Sequence, residues 1–404
     1  MTDRLYYHDS FLYDFDAEIR DVTQSPRPAV TLDRTAFYPT SGGQIHDTGW
    51  ISTDNARHRV TEVADTEDGR VIHYVESVKD LAPGTHILGQ IDATRRRDHM
   101  QQHSGQHVLS AAFIRLFDIA TVSFHMADDY CSIDLETPSL TREQIESAQH
   151  LANEIILENR PVEILFVTRE EAGKLGLRKI PPMQHDPLRL IDVHEFDVTA
   201  CGGTHVRQTG QIGCILLRKS ERVRQGYRVE FVAGQRAVAT ARRDLVTLTE
   251  AAALFSGHIY DVPLQVRKSL EEVRAVRKQR EQLLEELATA QAIAVLSETP
   301  ETDGRKLILR AFTDRDINFV KLFAQKLTRL SPKVVALLGT TSPQPAVVFA
   351  QSPGQPFDMG ARMKETLAKF AGRGGGSKDL AQGGLANAPD LEPALGDAKQ
   401  SLGA

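Results

Sequence analysis

Up to Arg95 the sequence is cut into short β-branched runs, and that texture limits the fold more than any other feature. Val30-Thr31-Leu32, Trp50-Ile51, Val71-Ile72-His73-Tyr74-Val75 and His86-Ile87-Leu88-Gly89-Gln90-Ile91 are separated by turns rich in Gly, Pro and Asp. Strands this short predict a small barrel or sandwich. Past Arg95 the spacing changes. Met100, Val108, Ala111, Ala112 and Leu116 fall mostly at helical intervals and predict one long helix over 98–117. Thr141-Arg142-Glu143-Gln144 supplies a cap for a second helix over 141–159. Strand-like runs return at 162–167, 188–191, 214–217 and 228–232, so that block reads as α+β.

Residues 264–296 are rich in Glu, Arg, Gln, Leu and Ala. Val266, Leu270, Val273, Leu284, Leu287 and Ala294 alternate by fours and threes, but Arg277, Arg280 and Gln291 interrupt the seam. That pattern predicts a short helical hairpin arm or an impure coiled coil. Strands at 306–309, 334–339 and 346–349, with a helix over 318–330, predict a small α/β domain with an open sheet. Residues 387–404 are polar and small, a tail or a marginal helix. The expected architecture is α+β: a barrel-like domain over 1–95, a metal-binding core over 96–240, a helical arm over 241–300 and an α/β domain over 301–404. At 404 residues the chain is too long for one ordinary core, and 41% hydrophobic with 25% charged residues excludes wholesale disorder.

The net charge of −6 argues against binding nucleic acid over the whole surface, so any such contact must be a local basic patch. Three cysteines make no disulfide framework and point to a reducing compartment. Met1-Thr2-Asp3-Arg4 carries charge early with no apolar run behind it, and no stretch approaches the roughly 18 apolar residues a spanning helix needs. A cytosolic protein is expected.

The strongest chemical signal has two halves. His103-Ser104-Gly105-Gln106-His107 puts two imidazoles four apart on one helix face. Far downstream, Cys201-Gly202-Gly203-Thr204-His205 adds a thiolate and an imidazole, with two glycines that permit a tight turn between them. Two or three nitrogen ligands and one sulfur suit zinc. Ser104 stands where a zincin protease needs Glu, which argues against that class. Cys131 and Cys214 lie in strand-like apolar runs and are expected to be buried core thiols.

The two halves together resemble the editing domain of alanyl-tRNA synthetase and its free-standing AlaX relatives. The likeness extends to Ala36-Phe37-Tyr38-Pro39-Thr40-Ser41-Gly42-Gly43-Gln44 with Asp47-Thr48-Gly49, and to Tyr227-Arg228-Val229-Glu230-Phe231-Val232-Ala233-Gly234. Gly372-Arg373-Gly374-Gly375-Gly376-Ser377-Lys378 through Gly384 is similar to the Gly-rich signature of the DHH-associated domain that ends those synthetases. With the barrel beginning almost at once and no aminoacylation domain before it, the expectation is a long AlaX-type protein that edits without charging. Gly42-Gly43-Gln44 also resembles the tripeptide of peptide-chain release factors, but its flanks favour a tight turn at the barrel edge.

The resemblance implies hydrolysis of the ester joining a wrong amino acid, serine or glycine, to the 3′ adenosine of tRNA(Ala). It implies one zinc per chain on His103, His107, Cys201 and His205, which either activates water or orients the substrate amino group. Thr121 and Ser123 are the candidates for reading a serine hydroxyl, although Phe124-His125-Met126 departs from the family's polar run; Gly202 is expected to shape the pocket floor. Arg95-Arg96-Arg97, Arg218, Lys219, Arg222 and Arg224, with Arg373 and Lys378 beside the Gly-rich backbone, are the candidate tRNA contacts. A homodimer through the C-terminal part follows from some relatives. Two other readings stand beside this one: a tRNA-binding protein with a structural zinc site, and an editing hydrolase for another aminoacyl-tRNA.

Overall fold

Six strands close a barrel in the computed structural model: β1 (Asp14–Thr23), β2 (Ala29–Leu32), β3 (Gly49–Ser52), β4 (Arg57–Asp65), β5 (Val71–Val75) and β6 (His86–Ile91), in the order β1-β2-β5-β4-β3-β6. The structure describes residues 1–175, 177 and 187–402. The longest strands of the barrel, β1 and β4, hold no β-branched run longer than the pairs Val22-Thr23 and Val60-Thr61. Their apolar residues alternate with charged ones, and Phe15, Ala17, Ile19, Val60 and Val63 turn inward while their neighbours face water.

The predicted long helix is α1 (Ala93–Phe117), which begins a turn early because the Asp92 side chain accepts from Thr94 N and Arg95 N. Its middle is buried on every side, polar residues included. Burial all round erases an amphipathic stripe, so each buried polar group must find its own partner. Arg96 is 0% exposed; it pairs with the equally buried Asp47 and donates to Ser10 O (2.7 Å) and Ala36 O (2.5 Å). Its donors are spent on tying the barrel to the helix, and it is not available to a tRNA phosphate as the sequence suggested. Gln102 bridges Asp98 and the backbone of Ala233, and Gln101 donates to Gln211 O.

Against α1 packs a four-stranded sheet of β7 (Thr121–Met126), β8 (Cys131–Leu135), β12 (Ile215–Val223) and β13 (Gly226–Ala233), ordered β12-β13-β8-β7. The second predicted helix, α2 (Arg142–Leu157), has the capping box at Thr141. A three-stranded sheet of β9 (Val162–Val167), β10 (Leu188–Val193) and β11 (Asp197–Ala200) delivers the chain to Cys201. Cys131 is buried, and burial pushes its thiol up to about 12. Cys214 is exposed, contrary to expectation, because Gly213 (φ 90°) turns the chain just before β12 begins. Contacts divide the chain into two units, Met1–Glu250 and Ala251–Ala404, the boundary falling near the end of α3 (Gly234–Ala253).

In the second unit, residues 264–296 form no hairpin among themselves. They lie in one continuous helix, α4 (Val262–Glu298), opened by Pro263. Ala288 and Ala292 pack with α5 (Ile317–Leu330) on one face of a five-stranded sheet. That sheet contains β14 (Lys306–Phe312), β15 (Val334–Thr340), β16 (Ala346–Gln351), β17 (Arg373–Gly376) and β18 (Leu380–Gly384), ordered β14-β15-β16-β18-β17, with only β14–β15 parallel. The other face is covered by α6 (Met359–Lys369) and α7 (Leu391–Gln400), so the expected tail is a helix that buries Leu391, Ala394, Leu395 and Ala398. Gly374-Gly375-Gly376 is an edge strand and not a loop. A Cβ on Gly374 would come within 2.7 Å of Leu367 and 2.4 Å of the partner strand, so glycine lets α6 press onto the hairpin.

Candidate metal centre

Four donors converge in the first unit. One ligand atom each from His103, His107, Cys201 and His205 lies within 4.8 Å of all the others. The helical spacing on α1 supplies two, and the turn after β11 supplies the rest. Cys201 Sγ is 3.4 Å from His103 Nε2 and 3.3 Å from His205 Nε2. Gly203 N also points at the sulfur, at 3.3 Å. Of the two glycines, Gly203 is the strict one, since its Cβ would lie 2.2 Å from the His103 ring. A Cβ on Gly202 would only touch Tyr7 at 3.5 Å.

Each imidazole turns its other nitrogen outward to an oxygen. His103 Nδ1 donates to Gln44 Oε1 at 2.7 Å. The amide cannot be reversed, because the same oxygen accepts from Thr204 N and the Gln44 amide nitrogen donates to Thr204 Oγ1. His205 Nδ1 meets Ser104 Oγ at 3.1 Å. His107 Nδ1 lies 3.8 Å from Asp197 Oδ2, an ion-pair distance rather than a hydrogen bond, and is buried with no hydrogen-bond partner among the described residues. Outer partners of this kind fix tautomer and ring angle in metal sites. Gln44, Ser104 and Asp197 were not singled out by sequence reasoning. Only Gln44 carried a signal, in its Gly-Gly-Gln context.

Burial pushes the Cys201 thiol up, but His103 and His205 beside it outweigh burial and hold it well below its ordinary value. Burial holds His205 neutral, down to about 3. Burial also opposes charge on His107, yet Asp197 and Cys201 raise it to about 9. The cluster thus holds a thiolate and a neutral imidazole around a space that favours positive charge.

His103, His107 and Cys201 open onto a cleft of about 760 Å³ that Gly202, Thr121 and Ser123 also line. Thr121 Oγ1 donates to Ser110 Oγ (2.7 Å), which also accepts from Gln106 Nε2 (2.8 Å). Ser123 Oγ donates to Asp134 Oδ2 (2.7 Å). Both hydroxyls keep lone pairs for the cleft.

The basic candidates separate sharply. Arg95 is bound to His46 O and lies 3.5 Å from Asp128; Arg218 pairs with Asp244, Lys219 with Glu221, and Arg228 with Asp134. Arg97, Arg222, Arg224, Arg373 and Lys378 are exposed, without an ion-pair partner among the described residues.

A family model described as tRNA synthetases class II (A) matches residues 5–95, and one described as Threonyl and Alanyl tRNA synthetase second additional domain matches residues 188–229. Alanine--tRNA ligase of Thermococcus kodakarensis is 32% identical over 410 residues, covering 100% of this chain and 44% of that protein. The C-Ala domain from Aquifex aeolicus alanyl-tRNA synthetase aligns with 26% of this chain and 94% of its own at 23% identity, with a TM-score of 0.23. These matches make the chain similar to the alanyl-tRNA synthetases along its whole length. A likeness that runs through both chains is to the Alanyl-tRNA editing protein AlaX-L of Pyrococcus horikoshii, 29% identical over 395 residues and covering 96% of each. The ligases are longer: the chain spans less than half their length.

Proposed function

We propose that this protein is a trans-editing hydrolase that removes serine, and glycine, from mischarged tRNA(Ala) in the cytoplasm, using one zinc held by His103, His107, Cys201 and His205. A single observation carries the reading: three of the four donors open onto a cleft while their far sides are held by Gln44 and neighbouring groups. A purely structural zinc is normally enclosed by its ligands, whereas a catalytic one keeps an open side. The residues fit the metal, since one thiolate and three imidazoles are preferred zinc donors and one donor atom from each lies within 4.8 Å of all the others. When bound, zinc supplies Lewis acidity for an ester carbonyl or an attacking water.

The chain's own part is orientation. Gln44 keeps a proton on His103 Nδ1, which leaves the Nε2 lone pair facing the centre. Thr121 and Ser123, each donating its own proton away from the cleft, offer acceptors for a serine hydroxyl. Alanine brings no hydroxyl, and a pocket built to pair one discriminates against a substrate that lacks it. Of the exposed cations, Arg97, Arg373 and Lys378 join Arg222 and Arg224 as candidate tRNA contacts.

The test incubates purified protein with Ser-, Gly- and Ala-charged tRNA(Ala) and follows ester loss, with elemental analysis for metal. One zinc per chain and loss of the serine and glycine esters are expected. Cys201→Ala should abolish most metal and activity, and Gln44→Ala should cost about 10–100-fold. No loss of any ester, or full activity after verified metal removal, would sink the proposal.

A further inference from the structure

The four-stranded sheet places a second feature on a line with the cleft. Thr121 on β7 pairs with Leu135 on β8, Leu135 with Tyr227 on β13, and Tyr227 with Arg222 on β12. Three strand spacings separate Thr121 from Arg222, about 14 Å. The β12–β13 hairpin ends one residue pair later, where Val223 pairs with Gly226 and Arg224 stands at the turn. Gly226 (φ 151°) lies so close to β8 that a Cβ there would be 2.0 Å from Leu135 O, which pins the tip beside the cleft rim. A groove of about 350 Å³ runs along the tip, lined by Arg222, Arg224 and Glu136, and Glu136 also lines the cleft.

Charge distinguishes the tip from the rest of its sheet. One row further in, Ser123, Asp134, Arg228 and Glu221 are register partners, and Asp134 takes both Ser123 and a two-pronged contact from Arg228 at 2.8 and 2.9 Å. Lys219 is paired with Glu221 at 2.5 Å, and Arg218 with Asp244. Those cations are already matched by carboxylates. Arg222 and Arg224 are exposed and have no ion-pair partner among the described residues. In a chain of net charge −6, two unmatched guanidiniums beside the cleft form a local site for anions.

We propose that this hairpin tip holds backbone phosphates of the single-stranded 3′ end whose terminal ester lies in the cleft. The proposal rests on the deacylase reading for the ester, but the phosphate contact stands on the row and its two unmatched cations. The strand would leave the cleft past Thr121 and Glu136 and cross the end of the sheet to Arg222 and Arg224. The remaining cations of the segment serve the sheet.

The experiment compares wild type with R222Q/R224Q in the full-length, metal-loaded protein. Binding of uncharged tRNA is titrated against salt, and hydrolysis of Ser-tRNA is measured beside that of seryl-adenosine, which carries no phosphate. The variant should bind tRNA roughly tenfold more weakly near physiological salt, with a salt slope shallower by about 1.4, as expected for two single-strand phosphates. The loss should fall on KM for Ser-tRNA and not on seryl-adenosine. Lys219→Gln, whose charge Glu221 already matches, should move the slope far less. An unchanged tRNA affinity and slope would overturn the proposal, as would equal losses on both substrates, which would make the tip a support for the cleft. If wild type hydrolyses neither substrate, the deacylase reading fails, and the uncharged-tRNA titration still decides the phosphate contact.

Discussion

The two units of this chain solve the packing problem in opposite ways. All three cysteines, and every histidine except the exposed His258, lie within Met1–Glu250. There the central helix buries Arg96, His99, Gln102, His103, Ser104 and His107, most of them with partners distant in sequence. In Ala251–Ala404 the central strands β15 and β16 are buried along their whole length and nearly all apolar, with helices packed on both faces. An apolar core tolerates exchange of one hydrophobe for another, but a buried polar network fails when one member is left unpaired. Chemistry and fragility are therefore expected in the same unit.

The largest effect that would test this contrast is Arg96→Met. It leaves Asp47 charged at 0% exposure, and breaking such a pair costs about 3–5 kcal/mol. Trp50, the only tryptophan, lies on β3, so its fluorescence reports the first unit alone, while circular dichroism sees both. An early Trp50 transition with the remaining helix signal unmoved is expected. Joint loss of both signals would erase the distinction.

Acid should act next most strongly, and on the same unit. His73 is buried in the barrel between Thr35 and Val30, and burial holds it down to about 4. The folded value lies below the unfolded value of about 6.5, so the native state prefers the neutral ring. Its stabilising contribution is complete above pH 6.5 and disappears as pH falls towards 4, a loss of about 3 kcal/mol. His99, with neither ring nitrogen hydrogen-bonded among the described residues and burial holding it to about 2, extends the decline to lower pH. Denaturant midpoints followed by Trp50 between pH 7 and 4.5 check this, and a flat profile would contradict it.

The smallest effect sharpens the comparison within the first unit. Thr121→Val and Ser123→Ala should slow Ser-tRNA hydrolysis more than Gly-tRNA hydrolysis, by about 0.5–1.5 kcal/mol for one neutral hydrogen bond. Equal slowing of both would assign these hydroxyls to Ser110 and Asp134 alone, as parts of the fold.

Much of the order of elements could be read in the sequence, because runs such as Val71–Val75 and the Thr141 cap are local signals. β1 and β4 escaped because half of each strand faces water. The four donors were visible as spacing, but the outer partners were not: Asp197 and Ser104 acquire meaning only from a tertiary approach. Arg96 looked like one of three surface arginines, since nothing local records that Asp47 meets it in the interior. The Gly374–Gly376 run read only as Gly-rich backbone for a similar reason, because the pressure of Leu367 comes from a different element.

Gln44 turns the barrel into an inspector of the centre. It stands outside α1 and the 201–205 turn, yet its single amide touches both His103 and Thr204. A chain whose barrel had not closed would keep all four donors and lose the clasp that aims one of them. Such a molecule would be metal-poor and inert. For the deacylase proposed above, that is the safer failure, because a half-folded copy with a loose centre would also attack correctly charged tRNA.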